Sequence, residues 1–400
     1  MTNFYNAPRT PQVLRDIINM ELAAQKIKAR AVHVVDAPQC WTFLVKMAFG
    51  GKVEQVERLT GTLQEKTGSP SCRIDRSPHG LLVQIAKAPH DREFVTTASL
   101  ASVFAHQRPT LRASRIPVGV TPTGQVAWLD LADELTPHVA VFGLTGSGKT
   151  TLLAWMAWWV SLSKQPCLVL ASPKIDDYAA FSDAFTALHP PVRDEAGFAK
   201  LLAWLKVELL QRSADASLRS PLVVVIDEVP EWIKRVPRTD DVLETVASNG
   251  RALNMHLLLG SQRADEASVG RSAFNMTCRI VGRLGSGVFK YSTTGVTGAD
   301  VNLLGKGDML MVTPTLQRFQ APVLVESDYA RIKGQPGELS MPDPEPVVVV
   351  PLSAARATDV DEQTVLDAYR SGMSQREAMG KFKIGHDRAK RLRERALGAA

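Results

Sequence analysis

The feature that most constrains this 400-residue chain is the segment GLTGSGKT at residues 143–150. It matches the phosphate-loop pattern G-x-x-x-x-G-K-[ST] in full, and it lies between an apolar run typical of a buried strand and one typical of a helix. In this motif the glycines let successive backbone N–H groups surround a phosphate, the lysine neutralises its charge and the final hydroxyl ligates Mg²⁺. The residues predicted to bind ATP are Gly143, Leu144, Thr145, Gly146, Ser147, Gly148, Lys149, Thr150 and Thr151, and Thr150 is also a predicted metal ligand.

A second motif of the same kind follows downstream. The valine-rich run LVVVI ends at Asp227 and Glu228, the arrangement in which the aspartate holds the magnesium shell and the glutamate polarises water. Gln262 follows the run HLLLGS, at the strand end where open parallel sheets bind ligands, and such a glutamine can sense the γ-phosphate. The two motifs predict an ATPase with Glu228, Lys149 and Gln262 as catalytic residues and Asp227 as a metal ligand.

Short apolar runs alternate with helical segments over residues 116–332. Continuous valine and leucine runs separated by helices are typical of a parallel sheet that is covered on both faces. We therefore predict an α/β fold in which residues 116–332 form a P-loop NTPase core on a parallel sheet.

The rest of the chain predicts further domains. At 400 residues it exceeds the size at which one hydrophobic core stops growing. Residues 1–36 carry an amphipathic helical pattern, and strand and helix patterns over residues 37–115 predict a small α+β subdomain. Prolines are dense over residues 333–358, which predicts a linker before a helical module at residues 359–400.

Positive charge is concentrated in that last module. The net charge of +6 favours polyanionic partners only mildly when it is spread over the whole chain. Helical segments over residues 361–396, with Ser371-Gly372 between the first two, predict a helix-turn-helix unit. A solvated basic helix, or one that binds an acidic protein, is the alternative. The last helix carries the residues predicted to bind DNA phosphates, Arg388, Lys390, Arg391 and Arg393.

Other classes of protein are disfavoured. The four cysteines lie far apart without a C-x-x-C pair, so neither a zinc site nor a disulfide framework is indicated. No apolar run approaches the roughly 20 residues of a membrane helix, and the start of the chain lacks the apolar core of an export signal. These features predict a cytoplasmic protein with no integral membrane segment.

Several segments resemble the FtsK/SpoIIIE-type DNA translocases of the FtsK-HerA superfamily, in a form without a membrane anchor. They are PHVAVFGLTGSGKTTLL at residues 137–153, Ser172-Pro173-Lys174, GRALNMHLLLGSQR at residues 250–263 and LLGKGDML at residues 303–310. The unit at residues 40–89 is similar to the subdomain that precedes that family's motor. Residues 383–397 resemble its terminal DNA-reading module, so the resemblance covers roughly residues 38–400.

The resemblance implies a RecA-like motor that assembles as a homo-oligomeric ring, with a hexamer expected, and threads double-stranded DNA through a central pore. Lys174 and Arg271, in loops after sheet strands, are then predicted to contact the DNA backbone. An arginine of one subunit is expected to complete its neighbour's ATP site, and Arg251, Arg279 and Arg283 are equal candidates. The terminal helix-turn-helix becomes a winged-helix-like module that loads or orients the ring.

The sequence leaves the biological setting open. Without an anchor the chain fits a translocase for plasmid or phage DNA, with a membrane channel or a mobile-element protein as a further partner. Two other functions share the motifs: a same-fold ATPase that powers protein export, and a DNA-binding regulator that ATP switches. The first leaves the basic C-terminal helix unexplained, and the second predicts slow turnover that is independent of DNA.

Overall fold

The computed structural model describes residues 10–104, 114–163, 167–174, 176, 178–184, 186–262, 270–284, 303–334, 362–371, 373–374, 392 and 396. The chain divides into two units, Met1–Pro344 and Glu345–Ala400. None of the helices within the described ranges combines the length and the apolar character that crossing a bilayer requires.

A small antiparallel sheet opens the first unit. Its elements are α1 (Pro11–Ala24), β1 (Ala29–Asp36), β2 (Cys40–Met47), α2 (Val53–Glu57), α3 (Thr60–Thr67), β3 (Cys72–Ser77) and β4 (Gly80–Ala86), with strand order β1-β2-β4-β3. Leu14 and Ile18 of α1 lie in one hydrophobic core with Phe43 and Val83 of the strands. Helix α1 and strand β1, which the sequence assigned to a separate segment at residues 1–36, therefore share the sheet and core of the α+β subdomain.

A larger sheet follows. The elements in chain order are α4 (Thr97–Phe104), β5 (Arg115–Val120), β6 (Val126–Asp130), β7 (Val139–Phe142), α5 (Lys149–Ser161), β8 (Leu168–Ala171), α6 (Glu195–Ala214), β9 (Leu222–Ile226), α7 (Val229–Arg235), α8 (Thr239–Asn249), β10 (Met255–Ser261), β11 (Cys278–Val281), β12 (Asp308–Val312), β13 (Leu316–Gln320) and a short helix Glu326–Tyr329. Within the described residues the strand order is β6-β5-β13-β12-β11-β7-β10-β9-β8.

The large sheet is mixed, so the prediction of a parallel sheet is wrong for four of the nine strands described. Strands β11, β7, β10, β9 and β8 pair in parallel, as their continuous apolar runs predict. Strands β12, β13, β5 and β6 pair antiparallel. The reason lies in the connections: residues 313–315 and 121–125 join neighbouring strands, and such short links close hairpins but cannot make a parallel crossover.

Helices cover both faces of this sheet. Along β7, Val139 and Val141 point into the core that contains α5, whereas Ala140 and Phe142 point into the core that contains α6 and α8. Helix α5, which follows the phosphate loop, is tied to β5 by indole hydrogen bonds. Trp155 Nε1 donates to the Pro117 carbonyl (2.6 Å) and Trp159 Nε1 to the Arg115 carbonyl (2.9 Å). The phosphate loop is therefore fixed at the edge where β7 enters α5.

In the described part of the second unit, Glu362–Arg370 forms a helix, and Leu392 and Ala396 are also helical. Leu366 and Tyr369 of this helix are buried. The four residues predicted to bind DNA phosphates lie outside the described residues: Arg388, Lys390, Arg391 and Arg393.

Candidate nucleotide site

The phosphate loop leaves the carboxyl end of β7 and runs into the first turn of α5. Gly146 (φ +80°) and Gly148 (φ +99°) have positive φ angles, which a side chain would make costly. A Cβ on Gly148 would also lie 2.6 Å from the Gly307 backbone nitrogen. The glycines at these positions are therefore required by the backbone conformation as well as by the phosphate-binding pattern.

Asp227 directly follows strand β9, which is separated from β7 by β10, and it is fully buried. Its carboxylate forms an ion pair with Lys149 Nζ and accepts hydrogen bonds from Thr150 Oγ1 (2.7 Å) and Tyr178 Oη (3.3 Å). Tyr178 had no role in the sequence analysis, because nothing in its local pattern connects it with β9. The structure thus joins both sequence motifs through direct contacts between their side chains.

Glu228, the next residue, turns its carboxylate into the same site. Its φ of +52° lies in the left-handed region, which is uncommon for a residue with a side chain. Its Oε1 accepts hydrogen bonds from Gln262 Nε2 (2.7 Å) and Lys174 Nζ (2.5 Å), and Lys149 Nζ is 3.5 Å away. Three predicted site residues, Lys149, Glu228 and Gln262, are therefore neighbours in space.

A cavity of about 350 Å³ opens over these side chains. Its polar side is formed by the phosphate loop with Lys149, Lys174, Glu228 and Gln262. Its apolar side is formed by Phe94, Ala321, Pro322 and Val323, which the sequence analysis did not single out. These residues come from loops around β13 and before α4, so their nearness to the phosphate loop depends on long-range strand pairing.

The segment before β12 supports the phosphate loop from behind. The Lys306 N–H donates to the Gly146 carbonyl (3.1 Å), and the Gly307 N–H donates to the Ser147 carbonyl (2.7 Å). Lys306 and Gly307 also line the cavity. The sequence marked LLGKGDML as a family motif without a role, and these contacts give it one.

The three arginine candidates lie in different places. Arg251 precedes β10, at the end of the parallel strands opposite the phosphate loop, and forms an ion pair with Glu134. Arg279 lies near the start of β11, where its Nε donates to the Met276 carbonyl (3.1 Å). Arg283 is exposed next to the phosphate loop, and its carbonyl accepts the Leu144 N–H (3.0 Å).

Two residues predicted to contact DNA lie beside acidic side chains. Lys174 is half-exposed in the wall of the cavity, with its ammonium group on Glu228. Arg271 lies against α8, where it forms ion pairs with Asp240, Asp241 and Glu244. Acidic neighbours of this kind oppose contact with a phosphate backbone, and the loop position alone could not reveal them.

No family model matches the chain. Among curated proteins it is 26% identical over 309 residues to the DNA translocase FtsK of Caldanaerobacter subterraneus subsp. tengcongensis, an alignment that covers 71% of this chain and 43% of the relative. It is 24% identical over 328 residues to the DNA translocase SftA of Bacillus subtilis (74% and 34%) and 24% identical over 426 residues to the DNA translocase FtsK of Borreliella burgdorferi (94% and 53%). The chain thus spans about half or less of these relatives. The predicted resemblance to FtsK-type translocases is confirmed.

Two solved structures are similar in fold. The cytoplasmic domain of the type VII secretion ATPase EccC of Thermomonospora curvata has a TM-score of 0.54 at 22% identity, covering 63% of this chain and 36% of that one. The pCW3 conjugation coupling protein TcpA with ATPγS has a TM-score of 0.51 at 16% identity, covering 78% of this chain and 96% of that one. The predicted P-loop ATPase fold is confirmed, with the mixed sheet described above.

Proposed function

We propose that the chain is an ATP-driven double-stranded DNA translocase that works as a ring of identical subunits. The observation that carries the proposal is the convergence of four predicted site residues at one cavity, with Asp227 bonded to two of them. The four are Lys149, Thr150, Glu228 and Gln262, and Asp227 contacts the first two. This convergence occurs in a chain that is similar over most of its length to proteins named DNA translocases. The geometry of the site supports ATP hydrolysis. The similarity to proteins named DNA translocases supports double-stranded DNA as the substrate that the motor moves.

ATP suits the chemistry of the cavity. The phosphate loop offers backbone N–H groups and Lys149 to a polyphosphate, and the wall of Phe94, Pro322 and Val323 offers apolar surface to a purine base. Thr150 and Asp227 present adjacent oxygen atoms 2.7 Å apart. Such a donor set fits Mg²⁺, which takes one or two protein oxygens and completes its shell with water and phosphate. Mg²⁺ bound there would neutralise charge on the phosphate groups.

Glu228 is the proposed catalytic base, because its carboxylate faces the cavity beside the phosphate loop. It would accept a proton from the attacking water, a role worth about 10²–10⁴-fold in rate. Gln262, which already contacts Glu228, would orient that water and respond to the γ-phosphate. Lys149 would hold the phosphate charge.

A ring places the ATP site of one subunit against its neighbour, and an arginine supplied across that boundary would stabilise charge on the transferred phosphate. Arg251, Arg279 and Arg283 are the candidates. A hexamer is the proposed assembly, in line with the resemblance to FtsK-type motors.

DNA capture is assigned to the second unit. We propose that residues 333–358 tether a winged-helix-like module at residues 359–400, and that Arg388, Lys390, Arg391 and Arg393 contact DNA phosphates. Residues 116–332 would be the motor, supported by the α+β subdomain before it. The proposed setting is the transfer of plasmid or phage DNA.

The test is steady-state ATPase activity with linear duplex DNA of increasing length, at low and moderate salt. We expect DNA to stimulate turnover, and the stimulation to grow with DNA length because a moving motor spends longer on a longer track. Lys149→Ala and Glu228→Gln are the controls, and both should abolish the stimulated rate.

A second candidate is an ATPase that powers protein export, a function named for a protein of similar fold. Equal rates with and without DNA, in a chain that still hydrolyses ATP, would favour it. Slow turnover combined with tight binding to one DNA site would instead favour an ATP-switched regulator.

A further inference from the structure

A chain of four polar side chains runs from the small sheet to the segment behind the phosphate loop. Its members, here called the buried polar chain, are Asp75 on β3, Gln84 on β4, Arg318 on β13 and Asp308 at the start of β12. Gln84, Arg318 and Asp308 are buried, and the chain crosses from one sheet of the first unit to the other. Buried polar groups are costly unless they are paired, so a connected set in an apolar interior needs an explanation.

The centre of the buried polar chain is a two-bond ion pair. Arg318 Nε donates to Asp308 Oδ1 (2.8 Å), and Arg318 Nη2 donates to Asp308 Oδ2 (2.7 Å). The side chains are only 6% and 3% exposed. Burial alone would lower the pKa of Arg318, but the charge and hydrogen bonds of Asp308 raise this pKa above its ordinary value. The guanidinium therefore stays charged, and its fork geometry fixes the orientation of the Asp308 carboxylate.

Asp308 in turn shapes the segment that supports the phosphate loop. Its Oδ2 accepts the Leu304 N–H (2.8 Å), and its own N–H donates to the Gly305 carbonyl (3.2 Å). These bonds close the turn whose Lys306 and Gly307 N–H groups donate to the phosphate loop. The orientation of the Asp308 carboxylate thus determines where those two N–H groups lie.

The other end of the buried polar chain is anchored in the small sheet. Arg318 Nη1 donates to Gln84 Oε1 (2.8 Å), and Gln84 Nε2 donates to Asp75 Oδ2 (2.7 Å). Arg73 Nε pairs with the same carboxylate at 2.8 Å from Oδ1. Both polar ends of the Gln84 amide are used, so its orientation is fixed.

We propose that the buried polar chain positions the phosphate loop, so that Gln84 of the α+β subdomain sets the nucleotide affinity of the motor. This inference rests on the proposed ATP site, and it assigns the subdomain a part in nucleotide binding. Arg318, Asp308 and Gln84 are positioning residues, since they act on the site through the turn at residues 304–307. Asp227 and Glu228 approach the cavity from β9, so the buried polar chain governs affinity more than the hydrolytic step.

The test variant is Gln84→Met, which keeps the length of the side chain and the Arg318–Asp308 pair but removes the hydrogen bonds to Arg318 and Asp75. The control is Thr67→Val, which removes a buried hydrogen bond within the same subdomain, from Thr67 Oγ1 to the Leu63 carbonyl (2.6 Å). Hydrogen exchange of the full chain without nucleotide reports on the turn directly. We expect faster exchange over residues 303–310 in Gln84→Met and an unchanged rate in Thr67→Val.

The second readout is the affinity for a fluorescent N-methylanthraniloyl ATP, with kcat measured in parallel. Of the two hydrogen bonds that Gln84→Met removes, the one to Arg318 leads to the turn. Losing one buried hydrogen bond corresponds to about a three- to tenfold change in an equilibrium, so this variant should weaken binding by about that factor. Its kcat should change less than twofold. Arg318→Lys, which keeps the charge but loses the fork, should show the same split between affinity and kcat.

Two results would overturn the inference. One is exchange over residues 303–310 and nucleotide affinity that match the Thr67→Val control. The other is an equal loss of affinity in both variants, which would indicate general destabilisation of the subdomain. If the unmodified chain binds no nucleotide, the proposed function fails, whereas the exchange measurement still decides whether Gln84 holds the turn.

Discussion

At the scale of single residues, Glu228 is the proposed catalytic base and contacts or approaches three other residues of the site. Its left-handed backbone costs a residue with a side chain about 1–2 kcal/mol. That conformation brings its carboxylate into contact with Lys174 and Gln262 and near Lys149, from three different parts of the chain. Backbone strain of this kind persists where the surroundings hold it in place, which is common at functional sites.

Lys174 has two proposed roles, one in the ATP cavity and one as a DNA contact in the pore, and a single substitution distinguishes them. From its cavity position we expect Lys174→Met to lower kcat about tenfold, because an ammonium group beside Glu228 would stabilise charge on the transferred phosphate. Duplex DNA affinity should stay within twofold of the unmodified chain. ATPase rates and DNA binding, measured on the same preparation, check both statements.

Lys206→Met, which alters an exposed lysine on α6, is the matched control and should change neither quantity. Unchanged kcat with weakened DNA binding in Lys174→Met would contradict the cavity role. That result would support the DNA contact of Lys174 in the pore that the sequence predicts.

His138 makes stability depend on pH. It is buried just before β7, where its Nδ1 accepts the Leu257 N–H (3.1 Å), and burial, aided by the neighbouring His256, lowers its pKa to about 3. The unfolded chain has the ordinary value of about 6.5, so it takes up a proton first as pH falls. The contribution of neutral His138 to the free energy of unfolding is complete above pH 6.5. It is lost as the pH falls towards 3, and at pH 5 the free energy of unfolding is lower by about 2 kcal/mol.

Urea unfolding at pH 7 and pH 5 measures this loss. His138→Asn keeps an acceptor for the Leu257 N–H but does not titrate, so its stability should fall by about 2 kcal/mol less between the two pH values. Parallel losses in the variant and the unmodified chain would rule out His138 as the source.

At the scale of elements, the junction between β13 and β5 joins the two antiparallel hairpins of the large sheet. One register pair, Gln320 with Val120, connects these strands. A Cβ on the adjacent Gly119 would lie 2.2 Å from the Gln320 carbonyl oxygen, so a glycine is needed for the strands to approach. Strand β5 also accepts the indole bonds of α5, so this junction supports the helix of the phosphate loop.

Gly119→Ala should therefore destabilise the chain by about 1–3 kcal/mol, the usual effect of overpacking. Urea unfolding followed by tryptophan fluorescence measures the change, since the α5 indoles report on the junction. Gly61→Ala in α3 is the control, because nothing lies within 4 Å of the added Cβ and alanine favours a helix. Equal stability of the two variants would show that the strands do not need the close approach.

The elements also show how far the sequence could predict the fold and the site. Continuous apolar runs predicted strands β7, β9 and β10, because strands that are buried on both faces are apolar throughout. The predicted site residues follow directly after these strands. Strand β13, LQRFQ, has two apolar residues and no continuous apolar run, so it gave no comparable signal. Its pairing with β12 and β5 brings Arg318 and the apolar cavity wall into place. Such contacts depend on topology, which local pattern does not determine.

At the scale of the whole molecule, the two units have separate proposed tasks. The first contains the nucleotide site, and the second contains the basic segment that we propose binds DNA. Charge neutralisation by that segment would make DNA binding depend on salt, because each phosphate contact releases counterions.

Replacing Arg388, Lys390, Arg391 and Arg393 with glutamine should weaken duplex DNA binding and reduce its salt dependence. The slope of log affinity against log salt should fall by about 0.9 for each lost contact, or about 3–4 in total. The control replaces four exposed basic residues of the α+β subdomain, Lys28, Lys46, Lys52 and Arg58, and should leave the slope unchanged. An equal change in both variants would indicate a general charge effect instead of a dedicated DNA-binding helix.

Displacement of a triplex-forming oligonucleotide tests the central claim most directly. The full chain is added with ATP and Mg²⁺ to linear duplexes that carry the triplex at increasing distances from the loading end. A translocating motor predicts displacement after a delay that grows with distance, and none with Glu228→Gln or without ATP. DNA-stimulated ATP hydrolysis without any displacement, at every distance, would contradict the account and leave the chain an ATPase that binds DNA but does not move along it.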